Sequence, residues 1–424
     1  MENKQIIKDE LTGNECVYIK HKSGLDIFVC EMEGYSTVDA LFGTKYGSIN
    51  TCFKTANDKE YTTVPEGIAH FLEHKLFENE DNDVFELYAK TGASANAYTS
   101  FDRTCYVFTC SDNYEESLKI LLEFVQSPYF TQETVDKEQG IIAQEINMCD
   151  DNPDNVVFFN TLKCLYHNHP VRINIAGTIE SIAKIDAELL YKCYNTFYNL
   201  NNMVLIIAGN VKVDEVLKIA DEKLKMCENN GLETVFPKEP DTVFQKEMVS
   251  KMSVGIPIFN IGFKSEPGSG YSGYKAELEA TVASTALIYP STVLYKSMTE
   301  EGLINTTFSS EVFCGDGFFS VMFSGESEHS HEVYRRLCEE IERVKVEGID
   351  KEIFENIKKS IYGSVVREFN GVTAIGSVIL NSYFAGVSPF DAMKILKEMT
   401  YEDVMKCIIE RFDSEKSVIS IVEK

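Results

Sequence analysis

The sequence predicts an α+β protein built from two related domains, and three observations carry that prediction. The first is a repeat. Lys192-Cys193 lies in a helical pattern leading into Val204-Leu-Ile-Ile, and Lys406-Cys407 lies in a similar pattern leading into Val418-Ile-Ser-Ile. In both copies the strand begins 11 residues after the cysteine, and the copies lie 214 residues apart in a chain of 424. Self-similarity at about half the chain length marks a duplicated unit. The second is that each half opens on a segment rich in β-formers, Asp39-Ala-Leu-Phe-Gly-Thr-Lys-Tyr-Gly47 and Val254-Gly-Ile-Pro-Ile-Phe-Asn-Ile-Gly-Phe263. The third is the Gly/Pro-punctuated stretch 229–240 between the halves.

The remaining elements follow in parallel order. Each opening segment runs into a helix, a pair of strands and two more helices. Thr104-Cys-Tyr-Val-Phe-Thr109 and Phe318-Phe-Ser-Val-Met-Phe323 alternate or run apolar as strands do. Helical patterns at 114–126 and 131–149 have counterparts near 328–346 and 350–366. Domains at 1–235 and 236–424 follow, each long enough to bury a core of its own.

Composition removes several function classes. At 44% hydrophobic and 25% charged residues the chain reads as globular, neither disordered nor fibrous. No apolar run approaches the roughly 20 residues of a membrane helix; Met203-Val-Leu-Ile-Ile-Ala-Gly209 has the length of a buried strand. The N-terminal residues form no apolar signal core, and the 12 cysteines include no Cys-x-x-Cys pair, so reduced thiols and a cytoplasmic location are expected. A net charge of −27 disfavours nucleic acid and anionic membranes as partners. The acidity serves either solubility or an acidic interior that attracts basic peptides.

The chemistry concentrates in Gly67-Ile-Ala-His70-Phe-Leu-Glu73-His74-Lys-Leu-Phe77. Pro65 and Glu66 suit a first helical turn, and apolar residues recur at Ile68, Phe71, Leu72 and Leu76. At about 100° per residue, His70, Glu73 and His74 fall within one arc of roughly 100°. Two imidazoles one turn apart can converge on one zinc ion with a carboxylate beside them, the inverted zinc-peptidase pattern His-x-x-Glu-His. Two histidines four apart also arise by accident, so a third ligand is needed. The candidate is Glu145, on a helix that Thr131 could cap. Glu138 lies seven residues earlier on the same face. Such a pair is often a solvated stripe; Ile141 and Ile142 between them suggest partial burial.

These motifs resemble the pitrilysin–insulinase–mitochondrial processing peptidase family. There the third ligand is a glutamate at about this distance beyond the second histidine, here 71 residues, and a second glutamate seven residues before it supports the site, as Glu138 does. The resemblance extends to Gly92-Ala-Ser-Ala-Asn-Ala-Tyr-Thr-Ser100, to Ala176-Gly-Thr-Ile-Glu-Ser-Ile182 after His169-Pro170, and to Pro290-Ser-Thr-Val-Leu-Tyr-Lys-Ser-Met-Thr-Glu-Glu-Gly-Leu303. It implies two α/β-sandwich domains from internal duplication and a zinc metalloendopeptidase. His70, His74 and Glu145 are the implied ligands, Glu73 the base and Glu138 the group orienting a ligand histidine. Ala95, Asn96 and Ala97 would lie on an edge strand to which substrate adds by backbone hydrogen bonds, with Asn96 beside the metal.

Short or unfolded polypeptides are the expected substrates, and a homodimer or a heterodimer with a sibling lacking the zinc motif is the expected assembly. A non-catalytic structural subunit is the alternative, although such subunits usually carry a broken motif. The remaining histidines are read as structural: His167 and His169 point apart on an extended turn, and His329 and His331 begin a helix. The second half, with no histidines four apart, is expected to be catalytically silent. One departure stands out. Active relatives grip substrate with an arginine and a tyrosine on second-half strands, and the corresponding strands here, 305–313 and 317–323, hold neither.

Overall fold

Residues 3–10, 12–78 and 83–424 are described by the structure, a computed structural model; Met1 and Glu2 of the N-terminal stretch lie outside the described residues. Among the described residues the first half runs β1 (Asn3–Lys8), β2 (Glu15–Lys20), β3 (Asp26–Glu31), β4 (Val38–Thr44), β5 (Cys52–Lys54), β6 (Thr62–Thr63), α1 (Ile68–Leu76), α2 (Val84–Thr91), β7 (Ser94–Thr99), β8 (Thr104–Cys110), α3 (Tyr114–Val125), α4 (Gln132–Asp150), α5 (Pro153–Leu165), α6 (Ile179–Ile182), α7 (Ala187–Phe197), β9 (Met203–Gly209), α8 (Val213–Lys223) and β10 (Glu233–Thr234). The second runs β11 (Glu247–Lys251), β12 (Ile258–Lys264), α9 (Gly270–Leu287), α10 (Val293–Glu300), β13 (Ser309–Gly315), β14 (Phe318–Glu326), α11 (Ser330–Glu347), α12 (Lys351–Glu368), α13 (Val372–Ala385), α14 (Asp391–Glu398), α15 (Tyr401–Arg411) and β15 (Ser417–Glu423).

The duplication expected from the cysteine–strand repeat is present. The two large sheets have orders β1-β2-β3-β9-β4-β8-β7 and β11-β15-β12-β14-β13, beside a small one of order β10-β5-β6. Without the β1–β2 hairpin they match strand for strand: β3 is parallel to β9 and β11 to β15, and every other neighbour is antiparallel. Both α7 and α15, and both β9 and β15, begin 214 residues apart. All of β9 is buried, so it reads as a continuous apolar run.

Each half buries a core of its own against its helices, but the halves also share two cores that the sequence did not predict. Phe159, Leu162 and Leu165 of α5 pack on Phe318, Met322 and Val418 of the second sheet. In the opposite sense, Val372, Ile375 and Leu380 of α13 pack on Leu41, Val204 and Ile206 of the first. A sheet with helices on one face leaves its other face apolar and must cover it; here each half lends a helix to the other. Equivalent glycines mark the crossings. Gly43 pairs with Val204 and Gly262 with Val418. A Cβ at Gly43 would lie 3.0 Å from Cys105 Sγ and 3.2 Å from Leu380, and one at Gly262 would lie 2.9 Å from both Leu165 and Thr161.

The interdomain stretch is strapped down despite its glycine and prolines. The Glu239 carboxylate accepts from the backbone N–H groups of His167, Asn168 and His169 at 2.8, 2.7 and 2.9 Å. Buried Lys264 donates to Glu239 at 2.6 Å and to the carbonyls of Pro240 and Thr242. Other boundaries shift. The strand expected from 305 begins at Ser309, because Asn305 Oδ1 accepts from the N–H and hydroxyl of Thr307 and makes a turn there. Pro65 and Glu66 precede α1 rather than forming its first turn, and Ile141 is exposed while Ile142 is buried.

Candidate metal centre

The position of α1 is set by its first residue. Gly67 caps the helix with φ of 88°, a left-handed conformation that costs glycine little. A Cβ there would lie 2.4 Å from Ala176 O, and one on Gly177 would lie 2.5 Å from Glu66 O. Ser181 Oγ donates to Glu66 O at 2.8 Å. The Ala176-Gly-Thr segment therefore clamps the start of α1, a role the sequence did not disclose. Buried Ile68, Phe71, Leu72 and Leu76 anchor the helix in the core, which leaves His70, Glu73 and His74 facing β7 and α4.

The opposing helix is capped as expected: Thr131 accepts from Thr134 N and closes a capping box. Glu138 and Glu145 share its inward face, and the solvated-stripe reading fails for Glu138, which is buried. His74 Nδ1 lies 2.9 Å from Glu138 Oε1. His70 Nε2 and His74 Nε2 each lie 3.6 Å from a Glu145 oxygen. Ligand atoms of His70, His74 and Glu145 all fall within 4.8 Å of one another, and no other such group of three occurs among the described residues. Glu73 stands beside them, its Oε2 accepting from Thr99 Oγ1 at 2.7 Å.

The electrostatics suit a cation. Burial, with the neighbouring His74, pulls His70 down to about 4, so its ring is neutral and able to bind a cation. Burial also lowers His74, but the Glu138 hydrogen bond and the nearby carboxylates outweigh it and hold its pKa up. Burial raises Glu73, against the opposing Thr99 hydrogen bond. His70 Nδ1 is buried with no hydrogen-bond partner among the described residues, whereas Glu138 orients His74. The His70 and His74 rings and the Glu145 carboxylate are a donor set that fits a catalytic zinc ion, whose binding would displace the proton that Glu138 favours on His74.

The edge strand β7 departs from expectation in one respect. Ser100 N donates to Arg103 O at 2.8 Å. Alternation along the β7–β8 ladder then commits the backbones of Ser94, Asn96 and Tyr98 to β8 and leaves those of Ala95, Ala97 and Thr99 at the open edge. The Ala95 and Ala97 side chains pack on the core. Asn96 points to the face opposite Thr99, away from the face that Thr99 turns toward Glu73; its Oδ1 accepts from Ala97 N at 2.9 Å.

Residues 57–179 match the family description "Insulinase (Peptidase family M16)", and residues 184–361 match "Peptidase M16 inactive domain". The uncharacterized zinc protease YmfH of Bacillus subtilis (strain 168) is 39% identical over 411 residues, covering 96% of each chain. The chain belongs to the M16 peptidase family. An M16-like peptidase crystal structure from Alicyclobacillus acidocaldarius superimposes with a TM-score of 0.92 at 32% identity, over 100% of this chain and 99% of that one. The probable mitochondrial-processing peptidase subunit beta of Schizosaccharomyces pombe is 29% identical over 206 residues, 47% of this chain and 43% of that protein. The M16 description of residues 184–361 as an inactive domain sits beside a second half in which β13 and β14 carry neither arginine nor tyrosine.

Proposed function

We propose that this chain is a zinc-dependent endopeptidase that hydrolyses peptide bonds in short or unfolded polypeptides. The carrying observation is the convergence of His70, His74 and Glu145 within 4.8 Å, with Glu73 adjacent but outside the group. The chemistry that zinc supplies at such a site is Lewis acidity toward a water molecule and a scissile carbonyl. Glu73 takes the proton from the attacking water and passes it to the leaving amine. Glu138 accepts from His74 Nδ1 and holds that ring in place. Ala95 and the Ala97 carbonyl offer open-edge backbone groups to which an extended substrate adds as a further strand, the Ala97 N–H joining once Asn96 Oδ1 releases it, and this favours chains free of their own structure.

The same proposal pairs the chain either with a sibling lacking the zinc motif, which would supply the substrate grip missing from β13 and β14, or with a second copy, in which case substrate is held by backbone and apolar contacts alone. A cytoplasmic setting is part of it and is supported by 12 free cysteines; no helix among the described residues is long and apolar enough to cross a membrane.

Metal analysis and peptide cleavage test this reading together. One zinc per chain is expected in the wild type and little in His70→Ala. Glu73→Gln should keep the metal and lose turnover by several orders of magnitude, because an amide cannot accept the proton. Wild-type zinc in His70→Ala, or wild-type turnover in Glu73→Gln, would refute it.

A further inference from the structure

The Glu73 carboxylate is held from the substrate strand. Thr99, the last residue of β7, places Oγ1 2.7 Å from Glu73 Oε2. A second hydroxyl, Thr104 Oγ1, lies 3.3 Å from Thr99 Oγ1, so the single Thr99 proton has two possible acceptors. Thr104 resolves the choice: fully buried, it donates to Tyr46 O at 2.8 Å. With the Thr104 proton spent on a carbonyl, the Thr99 proton goes to the shorter, charged contact, since hydrogen bonds to carboxylates are the stronger ones. The chain Thr99 to Glu73, with Thr104 anchored on Tyr46, fixes both the position and the polarity of the contact.

We propose that Thr99 is a positioning residue for the base: its hydroxyl, donating to Glu73 Oε2, holds the carboxylate in the orientation from which it takes the proton of the attacking water. The inference rests on the peptidase reading above and adds a coupling to it. The backbone of Thr99 lies at the open edge of β7, where substrate adds. The Thr99 backbone also faces the Glu73 carboxylate, so a peptide bound along Ala95 and Ala97 stiffens the strand next to the residue that aligns the base, and correct strand addition and base alignment reinforce each other.

Three full-length variants decide it. Thr99→Val keeps shape and removes the hydroxyl, and Thr99→Ser keeps the hydroxyl and removes the methyl. Glu73→Gln assigns the Glu73 carboxyl resonance in protein labelled with 13C-glutamate. With zinc-loaded protein and a fluorogenic unstructured peptide, Thr99→Val should lower kcat roughly ten- to a hundred-fold with KM within about twofold, and Thr99→Ser should restore most of it. In zinc-free protein the Glu73 resonance should shift or split in Thr99→Val and match the wild type in Thr99→Ser. An unchanged kcat and resonance in Thr99→Val, or a Thr99→Ser as impaired as Thr99→Val, would overturn the proposal. Should Thr99→Val not fold, Thr99→Cys, a weaker donor of similar size, gives the same comparison. The peptidase reading fails separately: if the wild type cleaves no peptide while the resonance still depends on the hydroxyl, the contact stands and the activity does not.

Discussion

His169 shows how a single buried residue makes stability depend on pH. It is 1% exposed, its Nδ1 accepts from Val171 N and its Nε2 lies 3.0 Å from Asp316 O. Burial pulls its pKa from 6.5 to about 4, against the opposing pull of the Asp316 carbonyl and nearby carboxylates. Between those values the unfolded chain binds a proton that the folded chain refuses, so stability falls as pH drops from about 6.5 toward about 4. One such shift accounts for roughly 3 kcal/mol at most. Thermal melts of zinc-free wild type and His169→Gln at pH 7 and pH 4.5 check this. The variant should lose less on acidification, and parallel losses would contradict the assignment. Gly67 acts through geometry instead, since only a residue without a side chain fits against Ala176 O at that φ.

At the scale of elements, crossing glycines and a buried ion pair govern how helices and strands meet. Gly262 lets α5 lie directly on β12, with Leu165 and Thr161 closing over the missing side chain. Gly262→Val would push those groups outward and should destabilise the protein by about 1–3 kcal/mol, the usual cost of overpacking. Denaturant unfolding measures the loss, and an unchanged midpoint would mean that α5 has room to move. Lys264 and Glu239 bind the interdomain stretch to the turn after α5. Their pairing with three backbone donors and two carbonyls offsets the desolvation that isolated buried charges would suffer.

Across the whole molecule, the exchange of α5 and α13 makes the halves interdependent. The segment 1–235 lacks α13 and would expose Leu41, Cys105, Val204 and Ile206 on the outer face of its sheet. Expressed alone it should aggregate, whereas co-expression with 236–424 should yield a soluble complex at the mass of the intact chain. Size-exclusion chromatography distinguishes these outcomes, and a stable monomeric 1–235 segment would show that the borrowed helix is dispensable. Wide apolar surfaces of this kind do not remain exposed in folded monomers.

The sequence by itself determined the elements and the grouping of His70, Glu73 and His74, because both depend on local spacing, whereas Glu145 and Glu138 are singled out by the resemblance to a known family. Helix periodicity at His70, Glu73 and His74 and the seven-residue step from Glu138 to Glu145 are patterns written within single elements, and the repeat of Cys193 and Cys407 is a pattern of the chain itself that needs no folding to be read. Tertiary structure alone decided the rest. The contact of Thr99 with Glu73 joins residues 26 apart, the clamp of Ala176 on Gly67 joins separate loops, and the cover of each sheet comes from the other half. Asn96 was misplaced for a related reason. Its motif marks the right strand, but which face a side chain takes depends on pairing register, and a shift of one residue reverses it. Distances between elements arise from packing, and no periodicity within one element encodes them.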